Sequence, residues 1–218
     1  MAYYGFDRSV YPTDAVMTAW RSQTPFKFCG FYLGPTATGQ HSDNSWMTKR
    51  SFLKNLNWGF LVLYLGRQLN QTKTADLARS DAQDASNLAA QAGFPKGTII
   101  YLDVEQGGLL PSDFITYITT WCAALSNAGT YLPGIYCSYS QTADQIKAAL
   151  TVNTQFYVYH IGLASPSCSN PFPDPNSAPA PSTSGVSYAV AWQYTQNCSF
   201  TAAGYTLTSL GVKTQMET

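Results

Sequence analysis

The chain has 218 residues, a formal net charge of zero and only 11% charged residues. That balance argues against a nucleic-acid or anionic-membrane partner, because gripping phosphates takes clustered Lys and Arg. No apolar stretch approaches 18 residues, so no membrane insertion is expected, and the length suits one domain over residues 1–218.

Taken in order, Tyr3–Asp7 reads as a first strand and Thr13–Ser22 as a helix, with Pro12 fitting a first-turn position. Phe26–Leu33 is a second strand closed by Gly34-Pro35, Ser51–Asn55 a short helix and Trp58–Leu65 a third strand. Thr74–Ala92 carries the clearest helical stripe, Ala75, Leu77, Ala78, Ala82, Ala85, Leu88 and Ala89, and Gly93 supplies its stop.

Thr98–Glu105 is an apolar, β-branched run ending in Asp-x-Glu. Strand side chains alternate, so Asp103 and Glu105 share a face with Tyr101 below them, their Cα atoms about 6.5 Å apart. A helix over Ser112–Ala128, a strand over Tyr131–Tyr136, a helix over Gln141–Leu150 and a strand over Phe156–Ile161 follow. Residues 163–186, rich in Pro and Ser and without period, form a long loop inside the domain. Val186–Tyr194 is a seventh strand and Tyr205–Leu207 an eighth.

Strand–helix alternation predicts a parallel α/β sheet. Eight near-continuous apolar strands predict a closed (β/α)8-type, TIM-like barrel, with room for short or irregular last strands. The rival, an open doubly wound sheet, lacks a glycine-rich loop after its first strand. Five Cys leave at least one thiol unpaired; Cys29, Cys122 and Cys137 read as buried apolar groups, whereas Cys168 and Cys198 lie in polar loops and could bridge them. No Cys or His spacing suggests a metal site, and no cofactor is expected.

A barrel of this kind works at the C-terminal ends of its strands. Those ends carry three acids and a ring of aromatics, which together predict a sugar-binding cleft. The expected catalytic residues are Glu105, Asp103 and Asp7, and the expected substrate contacts are Tyr32, Tyr64, Tyr136, Trp192 and Gln193. Glu105, farthest out, is the expected general acid for glycosidic-bond cleavage. Asp103 and Asp7 are expected to stay ionised, to stabilise a positive ring carbon, orient a substrate amide or activate water. His160 reads as structural. No Gly-x-Ser-x-Gly elbow appears, and Cys137-Ser138 has no evident base. Arg8 and Arg67 are read as partners of acids or of an anionic group.

Gly-Phe-Asp (5–7), Tyr-Leu-Asp-Val-Glu (101–105), Gly-Ile-Tyr-Cys-Ser (134–138) and Ala-Trp-Gln-Tyr (191–194) occur in that order. In this the chain resembles the glycoside-hydrolase-like domain family once labelled domain of unknown function 1906, which is similar to the glycoside hydrolase family 25 lysozymes. The resemblance implies a (β/α) barrel that cleaves the β-1,4 bond between N-acetylmuramic acid and N-acetylglucosamine in peptidoglycan. It implies Glu105 as catalytic acid, Asp103 and Asp7 as supporting carboxylates, and Asp103 as the group that orients the substrate's N-acetyl. The lysozymes typically carry a further Asp on the last strand, in a Val-Asp-Leu-Asn-like segment. The nearest match here is Tyr205-Thr206-Leu207-Thr208, with Thr206 in the acid's place.

The expected partner is therefore a glycan, with peptidoglycan first, and the expected state a monomer. The competing expectation, motivated by Thr206, is a non-catalytic glycan-binding module on a degenerate hydrolase scaffold. Met1-Ala2 leads straight into a strand, so no signal peptide is visible. Action outside the cell or in the periplasm would follow lysis, a dedicated secretion route, or removal of a leader.

Overall fold

The computed structural model describes residues 1–161 and 166–216. Its strands are β1 (Ala2–Asp7), β2 (Phe26–Tyr32), β3 (Gly59–Leu65), β4 (Ile99–Asp103), β5 (Leu132–Ser138), β6 (Gln155–Tyr159), β7 (Ala189–Gln193), β8 (Cys198–Ala202) and β9 (Tyr205–Met216). Five helices alternate with the earlier strands: α1 (Asp14–Gln23), α2 (Arg50–Asn55), α3 (Ala75–Gln91), α4 (Ser112–Ala128) and α5 (Tyr139–Ala149). The strands follow one another from β1 to β7, β9 comes next, and β9 pairs back onto β1 to close the barrel.

Local chemistry sets the helix ends. Thr13 accepts the Val16 N–H and Thr74 the Leu77 N–H, each a side-chain N-cap. The alanine stripe of α3 (Ala78, Ala82, Ala85, Ala89) is buried, which lets α4 approach closely with Tyr117, Trp121 and Leu125. The barrel wall and this helical layer enclose the aromatic core.

The parallel pattern holds from β1 through β7 and then breaks. No helical segment follows β7, so no crossover can return the chain parallel. Instead β8 and β9 form a hairpin with Ala202 paired to Tyr205. Its two turn residues, Ala203 and Gly204, both take left-handed angles, φ 54° and 78°, as a primed two-residue turn requires. β9 is twelve residues long and antiparallel to both β1 and β7. The expected short, parallel eighth strand at Tyr205–Leu207 is thus only the first part of a long antiparallel one.

Residues 162–165, at the start of the long loop, lie outside the described residues. From residue 166 on, that loop takes the place of a helix. Phe172 packs edge-on against Tyr4, Phe26 and Phe200. The Tyr4 hydroxyl donates to Asp174 O at 2.8 Å and that of Tyr194 to Pro171 O at 2.8 Å. Cys168 and Cys198 are joined in a disulfide, and Cys29, Cys122 and Cys137 are buried free thiols. Among the described residues no helix is long and apolar enough to cross a membrane.

Candidate active site

Alternation along each strand decides which side chains enter the barrel. At the mouth these are Asp7 from β1, Tyr32 from β2, Leu63 from β3, Asp103 from β4, Tyr136 from β5, Tyr157 from β6 and Gln193 from β7. They line one cleft together with Glu105, just past β4, and Arg8, Ser9, Gln196, Asn197, Ser209 and Gly211 on the rim. Asp7, Asp103, Glu105, Tyr32, Tyr136 and Gln193 are therefore brought together.

Tyr64 and Trp192 are not. Each follows or precedes an inward-facing residue by one position, so each points out of the barrel and is buried against the outer layer. The Tyr64 hydroxyl donates to Asp84 Oδ2 at 2.9 Å and its ring stacks on Trp121. Trp192 Nε1 donates to His160 O at 2.9 Å. Their expected role as substrate contacts is corrected to core packing.

Two glycines make room for Asp7. A Cβ at Gly211 would come within 2.3 Å of Asp7 Oδ1 and 2.6 Å of Gln193 Nε2, and one at Gly30 within 2.6 Å of Asp7 Cβ. Asp7 is then held from two sides. The Tyr32 hydroxyl donates to its Oδ2 at 2.7 Å, and Lys213 Nζ lies 3.2 Å from the same oxygen. Lys213 also bonds the Tyr157 hydroxyl, which in turn bonds Gln193 Oε1.

Lys213 and Tyr157 were not legible as site residues. Lys213 is wholly buried on the distal half of β9, opposite Gly5 on β1 and Gln193 on β7. Thr206 sits instead on the exposed hairpin, bonded to Thr201 Oγ1 at 2.7 Å. The last-strand position that enters the barrel beside the acids is thus Lys213, within Val212-Lys213-Thr214-Gln215. The last strand thus brings a lysine and no acid to the three carboxyls. The alternation of that segment was the available signal, once the strand is known to reach residue 216.

Asp103 is treated differently from Asp7. It is buried, and its Oδ1 has no hydrogen-bond partner among the described residues. Burial, then the charges of Glu105 and Asp7, push its pKa well above the ordinary aspartate range, against a smaller pull from Lys213. Glu105 is open to solvent along one side, yet the protein around its carboxyl raises its pKa too, with the charge of Asp7 as the lesser cause. Asp103, expected to be ionised, is thus an acid that the fold pushes toward its protonated form. The two acids titrate as a pair that resists holding two charges. The Tyr32, Tyr136 and Tyr157 hydroxyls are pushed far up, mainly by burial, and stay hydrogen-bond donors.

The remaining candidates fall outside the cleft. Arg67 pairs with Asp81 at 2.8 Å. His160 is anchored by contact with Ser184 O and by its backbone N–H to Gln193 O at 3.1 Å. Burial raises the Cys137 thiol pKa, which suppresses its nucleophilicity. Among the described residues no cluster of three or more His, Cys, Asp or Glu could hold a metal.

A closed α/β barrel with paired acids at the C-terminal mouth of its strands defines a glycoside-hydrolase-like protein. The chain belongs to the Rv2525c-like, glycoside hydrolase-like domain family, whose model matches residues 18–209. No curated protein matches it. Among solved structures it is similar to the Clostridium perfringens spore cortex lytic enzyme SleM (14% identity, 99% of this chain and 67% of that one, TM-score 0.65). It is similar to the Streptococcus pneumoniae virulence factor GHIP, a glycosyl hydrolase 25 (14%, 97% and 86%, TM-score 0.64). A third is the S. pneumoniae modular autolysin LytC in complex with a synthetic peptidoglycan ligand (15%, 99% and 47%, TM-score 0.59). At these identities the likeness carries the fold.

Proposed function

We propose that this protein is a muramidase-like hydrolase that cleaves β-1,4-linked amino sugars of peptidoglycan, with Glu105 as general acid. The observation that carries the reading is the unequal treatment of three acids in one cleft. Asp7 is tied to Tyr32 and Lys213, whereas Asp103 and Glu105 share a raised affinity for a proton. A carboxyl that holds its proton more tightly than an ordinary one is suited to protonating a leaving glycosidic oxygen.

In this reading the substrate's acetamido N–H donates to the Asp103 carboxyl, whose Oδ1 has no hydrogen-bond partner among the described residues, and the acetamido oxygen is thereby turned toward the anomeric carbon. As the glycosidic bond breaks, its electron pair goes to the leaving oxygen, which takes the Glu105 proton. The acetamido oxygen attacks the anomeric carbon, and water later opens that intermediate with Glu105 as base. Asp7 offsets positive charge on the ring. Tyr32, Tyr136 and Gln193 contact the sugar. SleM is a spore cortex lytic enzyme and LytC binds a synthetic peptidoglycan ligand, which supports a cell-wall glycan as substrate and action outside the cytoplasm.

The test is release of reducing ends from purified cell walls by wild type and Glu105→Gln. Loss in the variant supports the proposal; equal rates end it. One observation favours a second reading: the last strand brings a lysine, Lys213, and no acid into the barrel beside Asp7. A non-catalytic glycan-binding module would show saturable binding of N-acetylated oligosaccharides without turnover, weakened by Tyr136→Ala.

A further inference from the structure

β3 and β4 stop pairing at Leu65 and Asp103, two residues short of Glu105. The tip that carries the acids is nonetheless held on both sides. Toward β5, the Val104 N–H donates to Tyr136 O at 3.0 Å. Toward β3 the partner is a side chain. Gln68 Nε2 donates to Asp103 O at 3.0 Å, and Gln68 Oε1 accepts the Glu105 N–H at 3.1 Å.

In a parallel ladder, one residue donates its N–H to the carbonyl of residue i and accepts the N–H of residue i+2. The Gln68 carboxamide does this with Asp103 and Glu105. It acts as one more residue of β3 after the chain has turned away. Its second Nε2 hydrogen goes to Gly66 O at 3.1 Å. Only this orientation of the amide gives both carbonyls a donor and the N–H an acceptor.

Gln68 is itself braced. Its N–H donates to Gln71 Oε1 at 2.9 Å. Lys73, 8% exposed, spreads its ammonium over the carbonyls of Gln68, Leu69 and Gln71 at 3.1, 2.9 and 2.6 Å. A buried cation thus cross-links the loop that presents a single amide to the acid-bearing tip.

We propose that Gln68 is a positioning residue for Glu105, replacing the missing ladder so that the carboxyl is fixed relative to Asp103 and the cleft. The proposal rests on the reading of Glu105 as proton donor. A shift of about 1 Å at such a group costs on the order of 100-fold in rate, whereas substrate binding to the rest of the cleft is untouched.

The test compares wild type with Gln68→Met, which keeps the length and removes the hydrogen bonds, and with Gln68→Glu, which cannot donate to Asp103 O and adds a charge. In the full-length protein, NMR follows exchange of the Glu105 amide and titration of its carboxyl, alongside kcat and KM on cell-wall glycan. In Gln68→Met the Glu105 amide is expected to exchange at least about tenfold faster while Tyr101 is unchanged. Its kcat falls about 10- to 100-fold with KM within about twofold. In Gln68→Glu the Glu105 titration moves to higher pH. Wild-type exchange at Glu105 together with wild-type kcat in Gln68→Met overturns the proposal. If the wild type cleaves no glycan, the functional reading fails by itself, and exchange and titration still decide the clamp.

Discussion

Two aspartates in this molecule are buried to nearly the same depth and treated in opposite ways. Asp81, on α3 and 1% exposed, takes Arg67 Nε at 2.8 Å and the Tyr117 hydroxyl at 2.8 Å on one oxygen, and Arg67 Nη2 at 3.5 Å on the other. Asp103, on β4 and 3% exposed, faces two further acids and leaves Oδ1 without a hydrogen-bond partner among the described residues. A buried charge is tolerated when paired and hydrogen-bonded. Asp81 meets that condition and braces α3 against α4 and the loop after β3. Asp103 does not meet it, and the deficit lies at a strand C-terminal end, where barrels work. On the proposed function, the contrast separates an acid kept for structure from an acid kept for a ligand.

The contrast can be broken first at its catalytic end. Glu105→Gln should lower glycan cleavage by about 100- to 10,000-fold while the melting temperature stays near that of wild type; rate and melting measured on one preparation check both. At the structural end the effect should reverse. Arg67→Met leaves Asp81 buried without its cation and should cost about 3–5 kcal/mol of stability, read by urea unfolding, with a far smaller loss of activity per folded molecule than Glu105→Gln.

Gly211→Ala probes the Asp7 side. Its new Cβ would fall 2.3 Å from Asp7 Oδ1, so the carboxylate must move. About tenfold lower activity and a stability loss of about 1–3 kcal/mol are expected, and wild-type rates would show that Asp7 is not needed where it stands.

Asp103→Asn gives the smallest and most telling effect. Because the folded pKa is raised, the unfolded chain releases this proton first as pH rises. The stability it contributes is complete below the ordinary aspartate value of about 3.9 and drains away up to the raised folded value. Asparagine should therefore raise the melting temperature by a few degrees at pH 7 and lose that gain in acid, while activity falls. A melting temperature lowered equally at both pH values would contradict this assignment.

What could be read from the sequence follows the same physics. Tyr101, Asp103 and Glu105 were placeable because a polar pair two residues apart at the end of an apolar run fixes its own face. Tyr64 and Trp192 were misplaced because their strands are apolar on both sides, and continuous runs such as Phe60–Leu65 carry no alternation to fix a face. Lys213 was missed for a different reason. The hairpin before it turns through Ala203-Gly204 instead of the Asn-Gly that announces such a turn, so the length and direction of β9 were hidden. The Gln68 clamp is tertiary, and no local pattern encodes it.

The most direct measurement is the carboxyl ¹³C spectrum of Asp103 and Asp81 in the intact protein, through a pH titration and then with an N-acetylated peptidoglycan oligosaccharide added. Asp103 should titrate above the ordinary aspartate range and shift when the sugar binds, while the Asp81 signal is indifferent to the sugar. An Asp103 that titrates in the ordinary range and does not respond to saturating oligosaccharide would contradict the claim that this acid is held for a ligand.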